Sequence, residues 1–175
     1  QDSVVRYIQN MVSDALSSYT GKGLTVENRG GKVYVSLDNR LLFESAKWTL
    51  NVGAKEALGR LAEVLAANPE LSITVEGHTD SDAFSGRNGV RDNWDLSVMR
   101  ATAVVKELTA KEGVDPSSIV ASGRGEFAPI AENDTDENKA KNRRTEVIIT
   151  PDLSALAKLM DSSAGSVPEE NGATE

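Results

Sequence analysis

The chain has 175 residues and a formal net charge of −8, with 39% hydrophobic and 26% charged residues. This balance suits one globular domain with a single hydrophobic core and some appended segments. The acidic excess argues against a nucleic-acid partner, because lysine and arginine supply most of the attraction for phosphate. No apolar segment approaches the roughly 20 residues of a membrane-spanning helix. We therefore expect any membrane anchor to lie outside this chain.

Apolar residues recur at three- and four-residue steps near the start of the chain, which predicts an amphipathic helix over residues 2–19. Such a face could pair with a second copy of the chain, giving a homodimer, or could pack on its own domain. Two heptads are too few to decide between these roles. The sequence therefore predicts an N-terminal helical segment, residues 1–22, with both roles open.

The next region predicts a β-hairpin, a helix and a strand. Alternating segments at 24–28 and 32–37 flank Arg29-Gly30-Gly31. A short apolar segment at 41–43 follows, and apolar residues then share one helical face over 52–67. Alternation over 71–76 is typical of a half-buried strand.

The third region predicts a long helix over 94–112, which Asp92 or Asn93 caps and Gly113 ends. A strand at 119–122, a short helix near 137–141 and a last strand at 145–149 follow. A helical turn near 154–160 and a disordered tail from 161 complete the chain. The order of elements predicts an α/β fold, an α+β sandwich whose mixed sheet carries helices on one face.

Three polar segments interrupt this pattern at the ends of elements. They are Gly77-His78-Thr79-Asp80, then 93–97 running into Arg100, and finally Asn142-Arg143-Arg144. If the fold brings Asp80 and Arg100 together, an anion lies beside a cation at a helix N-terminus. That arrangement fits a zwitterionic amino-acid head group, since the planar guanidinium matches two carboxylate oxygens. The simpler alternative is a plain surface salt bridge worth about 0–1 kcal/mol.

These segments, with Leu42-Phe43, Gly123-x-Gly125 and Pro129, resemble the OmpA-like domain of OmpA, Pal and MotB proteins over residues 41–149. The resemblance implies a βαβαβ-type domain, here residues 23–153, between the N-terminal helix and a short C-terminal segment, 154–175. It also implies non-covalent binding of peptidoglycan, with Asp80 and Arg100 holding diaminopimelate of the stem peptide. Four further residues would line or support that pocket: Thr79, Asn93, Leu96 and Arg143.

Two features depart from compact members of the family. The loop between Asp80 and Asn93 is longer, and with Asn-Trp-Asp-Leu-Ser it is similar to flagellar motor MotB proteins. Asn138-Lys139 stands where the family often has Gly-Arg before the Asn-Arg-Arg segment, so we expect altered geometry around Arg143. Alternation into the last strand should send Arg143 and Arg144 to opposite sides, and we assign Arg143 to the site.

The resemblance implies a non-catalytic, periplasmic anchor of an envelope protein, most simply one of the outer membrane. The alternatives are a MotB-like wall anchor of an inner-membrane motor stator and a wall-acting envelope enzyme. His78 is the only histidine and cysteine is absent, so we predict no transition-metal cluster, no cofactor and no catalytic residue. Asp134-x-Asp136-x-Asn138 begins like a calcium loop, but Lys139 replaces the required glycine.

Overall fold

The computed structural model describes residues 2–152 and residues 154, 158 and 161. Along these residues the elements are α1 (Asp2–Ala15), β1 (Leu24–Arg29), β2 (Lys32–Asp38), α2 (Asn39–Leu42), α3 (Val52–Ala67), β3 (Ser72–His78), α4 (Asn93–Thr109), a 3-10 turn (Pro116–Ser118), β4 (Ile119–Gly123), α5 (Asp136–Asn142) and β5 (Arg144–Thr150). The predicted hairpin, helices and strands are present, with boundaries moved by a few residues.

The five strands form one mixed sheet in the order β1-β2-β5-β3-β4. Strands β3 and β4 run parallel and are connected through α4, whereas the other neighbouring pairs are antiparallel. The predicted α/β class with a mixed sheet is therefore confirmed. The hairpin belongs to the same sheet, because β5 lies between β2 and β3 and joins the hairpin to the rest of the sheet.

Alternate residues of the strands give the sheet two different faces. Val35, Val75 and Val147 are aligned across β2, β3 and β5, and all three are fully buried. They join one hydrophobic core with buried residues of α1, α3 and α4. The opposite face carries Glu76 and Glu146 on neighbouring strands. One face therefore builds the core, and the other gathers charged groups.

Helix α1 packs on its own domain. Its residues Val5, Ile8 and Val12 are buried in the common core, where the helix contacts β1, β2 and α3. The structure thus shows packing on the same domain, one of the two roles that the sequence left open. Helix α1 shares its hydrophobic core with residues 23–153. The apolar stripe is thus occupied, and homodimer formation through this helix stays a prediction.

The C-terminal predictions fall almost entirely outside the described residues. The helical turn near 154–160 and the tail from 161 include only three described positions, which are helical. Within the described part of the chain, no helix combines the length and apolar character needed to cross a membrane.

Candidate functional site

Two glycines allow α4 to lie directly against the ends of β3 and β4. A Cβ atom added at Gly77 would overlap the backbone carbonyl of Ser97, and one at Gly123 would overlap Ser97 and Val98. The close approach needs residues without side chains at both positions. It brings the first turns of α4 beside the residues that follow β3. Gly77 of the first polar segment and Gly123 of the Gly123-x-Gly125 motif therefore position the site.

The pocket at this junction has a volume of about 530 Å³. We call it the Asp80 pocket. All six residues predicted for the site line it, together with residues of α2 and of the loops on both sides: Asn39, Arg40, Phe43, Glu44, Ser45, Ala46, Thr79, Asp80, Asp82, Ala83, Phe84, Asn93, Leu96, Arg100 and Arg143.

Asp80 forms its ion pair with Arg143. Its Oδ2 accepts a hydrogen bond from Arg143 Nη1 at 2.6 Å, and its Oδ1 accepts one from the backbone N–H of Asp82 at 2.9 Å. Asp80 and Arg100 share this pocket, as the sequence motifs predicted. The ion pair in the described part of the chain is Asp80–Arg143, so the alternative of a plain Asp80–Arg100 salt bridge is not what the structure shows. Arg143 follows α5 and reaches the carboxylate from the β5 side of the pocket. Sequence spacing carried no information on this approach.

Arg100 is buried without a carboxylate partner among the described residues. Only 6% of the residue is exposed, its Nε donates to the carbonyl of Lys47 at 2.9 Å, and its guanidinium carbon lies 5.2 Å from the centre of the Phe43 ring. Burial, followed by the nearby cation Arg143, lowers the pKa of Arg100 to about 10, while the Asp80 carboxylate opposes this shift. The pocket therefore contains a buried positive charge that an anion would stabilise.

Asn93 and Thr79 hold the backbone around Asp80. Asn93 Nδ2 donates to the carbonyls of Asp80 and Asp82 at 3.4 and 2.9 Å, and Thr79 Oγ1 donates to the Asp80 carbonyl at 2.8 Å. Asp92 caps α4 by accepting from the backbone N–H of Asp95 at 2.9 Å. In this structure Asn93 and Thr79 shape the loop, and Leu96 supplies an apolar wall.

The sequence missed the contribution of α2 and the residues after it. Asn39 is buried, donates to the carbonyl of His78 at 3.3 Å and accepts from Thr145 Oγ1 at 3.0 Å. Phe43 contributes a ring to the pocket next to Arg100. The apolar segment at 41–43 was the available signal, but it indicated packing only. A polar residue such as Asn39 has no periodicity that would reveal a contact more than a hundred residues away.

The three residues of the Asn-Arg-Arg motif have separate tasks. The Asn142 side chain accepts from the backbone N–H groups of Ile130 and Ala131 and donates to Asn133, so it fixes the loop before α5. Arg143 enters the Asp80 pocket. Arg144 lies on the opposite side, as the strand alternation indicated.

Lys139, which replaces the glycine often found in the family, ties α5 to the long loop after β3. Its Nζ lies 3.0 Å from Asp82 Oδ1, and this carboxylate raises the pKa of Lys139. The same loop folds back between Arg87 and Val90, which exchange two backbone hydrogen bonds. The departure from the family pattern thus adds a contact at the edge of the pocket.

A second polar cluster lies on the other face of the sheet, and we call it the sheet-face cluster: Glu76, His78, Arg144 and Glu146. Arg144 Nε donates to Glu146 at 3.0 Å, and His78 Nε2 lies 3.0 Å from Glu76 without hydrogen-bonding geometry. Burial, then the Arg144 cation, lowers the pKa of His78, and the two glutamates oppose this shift.

The ligand atoms of Glu76, His78 and Glu146 lie within 4.8 Å of one another, close enough to consider a metal ion. However, Arg124 lies 3.5 Å from Glu76, and Arg144 and Arg29 lie 3.0 and 3.6 Å from Glu146. A divalent cation would enter next to three guanidinium groups, so this donor set favours an internal ion network over a metal site.

Fold and pocket together define an α/β domain with a charged pocket at the meeting point of β3, α4 and α5. The OmpA family matches residues 42–143, more than half of the chain. The chain belongs to the OmpA family.

Three curated relatives show the range of this family. The chain is 36% identical over 132 residues to the probable lipoprotein YiaD of Escherichia coli K12, covering 75% of this chain and 57% of that protein. It is 33% identical over 117 residues to Motility protein B of Bacillus subtilis, covering 67% and 44%. It is 40% identical over 94 residues to the peptidoglycan-binding protein ArfA of Mycobacterium tuberculosis, covering 54% and 27%. The chain thus spans about half or less of the length of these relatives.

Solved structures with the same fold cover most of this chain. A MotB-like protein from Desulfovibrio vulgaris has a TM-score of 0.73 at 25% identity, covering 87% of this chain and 96% of that one. The cell wall anchor of the type VI secretion system from Pseudomonas aeruginosa has a TM-score of 0.73 at 27% identity, covering 81% and 97%.

Proposed function

We propose that this domain binds peptidoglycan non-covalently through the Asp80 pocket and recognises diaminopimelate of the stem peptide. The observation that carries the proposal is Arg100, a buried cation that has no carboxylate partner in the described part of the chain. It lines the same pocket as Asp80. The free end of diaminopimelate has an ammonium and a carboxylate on one carbon. Arg100 would take the carboxylate and Asp80 the ammonium.

The ion pair between Asp80 and Arg143 sets the condition for ammonium binding. Both oxygens of Asp80 already accept hydrogen bonds. The Arg143 side chain is 32% exposed, whereas that of Asp80 is 9% exposed. Arg143 is therefore the residue of the pair that can rotate toward solvent when a ligand binds. A ligand ammonium would share Asp80 with Arg143 or replace it. The ligand carboxylate would in turn reduce the repulsion between Arg100 and Arg143.

The relatives support a binding function, not a catalytic one. ArfA is named a peptidoglycan-binding protein, and the Pseudomonas structure is a cell wall anchor. No histidine or cysteine lines the Asp80 pocket, and the carboxylate of Asp80 is already paired with Arg143. A wall-acting enzyme remains the alternative from another class. Incubation with purified sacculi followed by analysis of released products would reveal it.

The domain would act as a mechanical tether of an envelope protein in the periplasm. One charged head group on a partly open pocket gives weak binding, on the order of micromolar to millimolar. Weak sites suffice where many copies face one wall, since later contacts become effectively intramolecular. We propose an outer-membrane anchor, and the similarity to the probable lipoprotein YiaD supports it.

The alternative anchor is a MotB-like stator of the inner membrane. Similarity to Motility protein B and to the Desulfovibrio structure favours it, as does the long loop after β3. Both anchors use the same pocket, so ligand binding does not separate them. The natural protein's sequence upstream of this domain would distinguish the two anchors. A transmembrane helix there would indicate the stator, and a lipidated cysteine would indicate the outer membrane.

The binding proposal is tested with sacculi and two soluble competitors. Meso-diaminopimelate should displace the protein from sacculi, whereas lysine, which lacks the second carboxylate, should compete poorly. The variant Asp80→Asn should lose the ammonium contact. Arg60→Met serves as a control, because Arg60 is an exposed arginine of α3 outside the pocket.

Equal competition by lysine and diaminopimelate would refute recognition of the head group. Full retention of Asp80→Asn on sacculi, with competition unchanged, would contradict the assigned role of Asp80. Loss of binding in Arg60→Met would show that non-specific charge attraction dominates.

A further inference from the structure

Two aromatic side chains form an exposed stacked pair next to the Asp80 pocket. The rings of Trp94 and Phe127 have centroids 5.1 Å apart and planes inclined by 29°. Trp94 is 50% exposed and Phe127 is 65% exposed. We call this pair the aromatic platform. Exposed aromatic rings that lie together beside a polar pocket are typical of interaction sites.

The platform is held in place by its own scaffold. Gly125 has a φ of +57°, and a Cβ atom there would lie 3.4 Å from the Trp94 ring and 3.5 Å from the Phe127 ring. Ser97 Oγ donates to the carbonyl of Trp94 at 2.9 Å and accepts from the N–H of Gly125 at 3.0 Å. One serine thus fastens the helix that carries Trp94 to the loop that leads to Phe127.

The same scaffold connects the platform to the pocket. The N–H of Thr79, a pocket residue, donates to the carbonyl of Gly125 at 2.8 Å. Asn93 lines the pocket, and Trp94 follows it in the first turn of α4. Successive helix residues point about 100° apart, so the two side chains serve adjacent faces of one helix end. Pocket and platform therefore form neighbouring parts of one surface.

We propose that the aromatic platform is a second subsite that stacks against a pyranose ring of the glycan strand. This inference rests on the proposed function, because the sugar is the part of peptidoglycan joined to the stem peptide in the pocket. Two or three extended residues span at most about 7–11 Å, so the sugar must lie close to the pocket.

Stacking follows from the chemistry of both partners. One face of a pyranose ring presents C–H groups, and the face of an aromatic ring carries the negative part of its quadrupole. The sugar hydroxyls would meanwhile stay at the edge of the ring and remain hydrated. The subsite would add affinity without contacting the stem peptide. It would therefore favour stem peptides that are still attached to glycan.

The test uses two synthetic ligands that differ only in the sugar. One is a diaminopimelate-containing stem peptide, and the other is the same peptide linked to the N-acetylmuramic acid disaccharide. We expect the wild-type protein to bind the disaccharide ligand more tightly by roughly tenfold, the scale of one aromatic stacking contact. Trp94→Ala and Phe127→Ala should each remove most of this gain and leave affinity for the free peptide unchanged.

Tyr7→Ala is the matched control, because Tyr7 is an aromatic residue of α1 that is also 50% exposed. It should bind both ligands as the wild type does. Failure of the wild type to bind the free peptide would refute the proposed function itself. If the wild type binds both ligands equally, or if the platform variants weaken both equally, the glycan subsite is refuted and the pocket proposal stands.

Discussion

The Asp80 pocket and the sheet-face cluster lie on opposite sides of the end of β3, and they differ in whether their buried charges have partners of opposite sign. In the sheet-face cluster, Glu146 has Arg144 at 3.0 Å, and both of these residues are buried. In the pocket, Arg100 is equally buried, and the contacts of its guanidinium with described residues are a carbonyl and an aromatic ring. One cluster balances its charges within the chain, and the other leaves a cation facing a cavity.

This difference indicates how to separate structural from ligand-binding charges in such a domain. In a buried ion pair, each charge has lost its hydration but is neutralised by a partner in the same chain, so no ligand is needed to stabilise it. An unmatched buried cation destabilises the folded state until an anion arrives. Residues of the first kind should lose stability when mutated, and residues of the second kind should lose binding.

The largest effect on stability is expected for Arg144→Met. This change leaves Glu146 buried with only Arg29, whose side chain is 48% exposed, at 3.6 Å. Breaking a buried ion pair on one side costs about 3–5 kcal/mol. Urea denaturation should show the loss of unfolding free energy, while Arg29→Met should cost less than 1 kcal/mol. A fully stable Arg144→Met protein would show that the cluster contributes nothing to the fold.

Arg100→Met should have the opposite profile, with binding lost and stability kept or raised. Losing the carboxylate contact should cost about 2–5 kcal/mol of binding, enough to abolish retention on sacculi. The folded-state pKa of Arg100, about 10, lies below its ordinary value, so the protonated side chain destabilises the fold at any pH below about 10. Removing it should raise stability by about 1–2 kcal/mol, after the lost hydrogen bond to Lys47 is subtracted.

Thermal unfolding in buffer without ligand checks the stability half of this prediction, and sacculus sedimentation checks the binding half. A marked drop in the unfolding free energy of Arg100→Met would place Arg100 with the structural charges and remove the contrast between the two clusters.

The smallest effect concerns the pH dependence contributed by His78. Its folded-state pKa is lowered by burial and Arg144, against the opposing glutamates Glu76 and Glu146. As the pH falls below about 6.5, His78 becomes protonated in the unfolded chain but stays neutral in the folded protein. The free energy of unfolding therefore decreases until the pH reaches the lowered folded-state pKa of His78. The variant His78→Gln should show a flatter dependence of unfolding free energy between pH 7.5 and 5.5. Identical slopes in both proteins would exclude His78 as the source.

The elements of this fold were predictable because each carries a local periodicity. Alternation over 71–76 and the helical stripe over 52–67 gave β3 and α3 nearly to the residue. The sheet order was not predictable in this way. Strand β5 pairs with β2, which lies more than a hundred residues earlier in the chain, and with β3, which lies more than sixty residues earlier. No local pattern specifies such partners.

The candidate site likewise has features that the sequence predicted and features that only the structure revealed. Its six predicted residues came from polar segments at element ends and from a family resemblance, and the structure places all six around one pocket. The partner of Asp80, the buried Asn39 and the aromatic platform came only from the structure. Each depends on segments that meet through folding, such as α2 against β3.

The sequence by itself determined the elements, the family and the residues with chemistry to offer, because propensity, periodicity and motif spacing are local properties. Only the tertiary structure decided which charges are matched. Arg143 and Arg144 are neighbours in the chain, but one completes an ion pair in the pocket and the other an ion pair on the far side of the sheet. Burial and distance set that difference, and both arise only when the strands and helices pack.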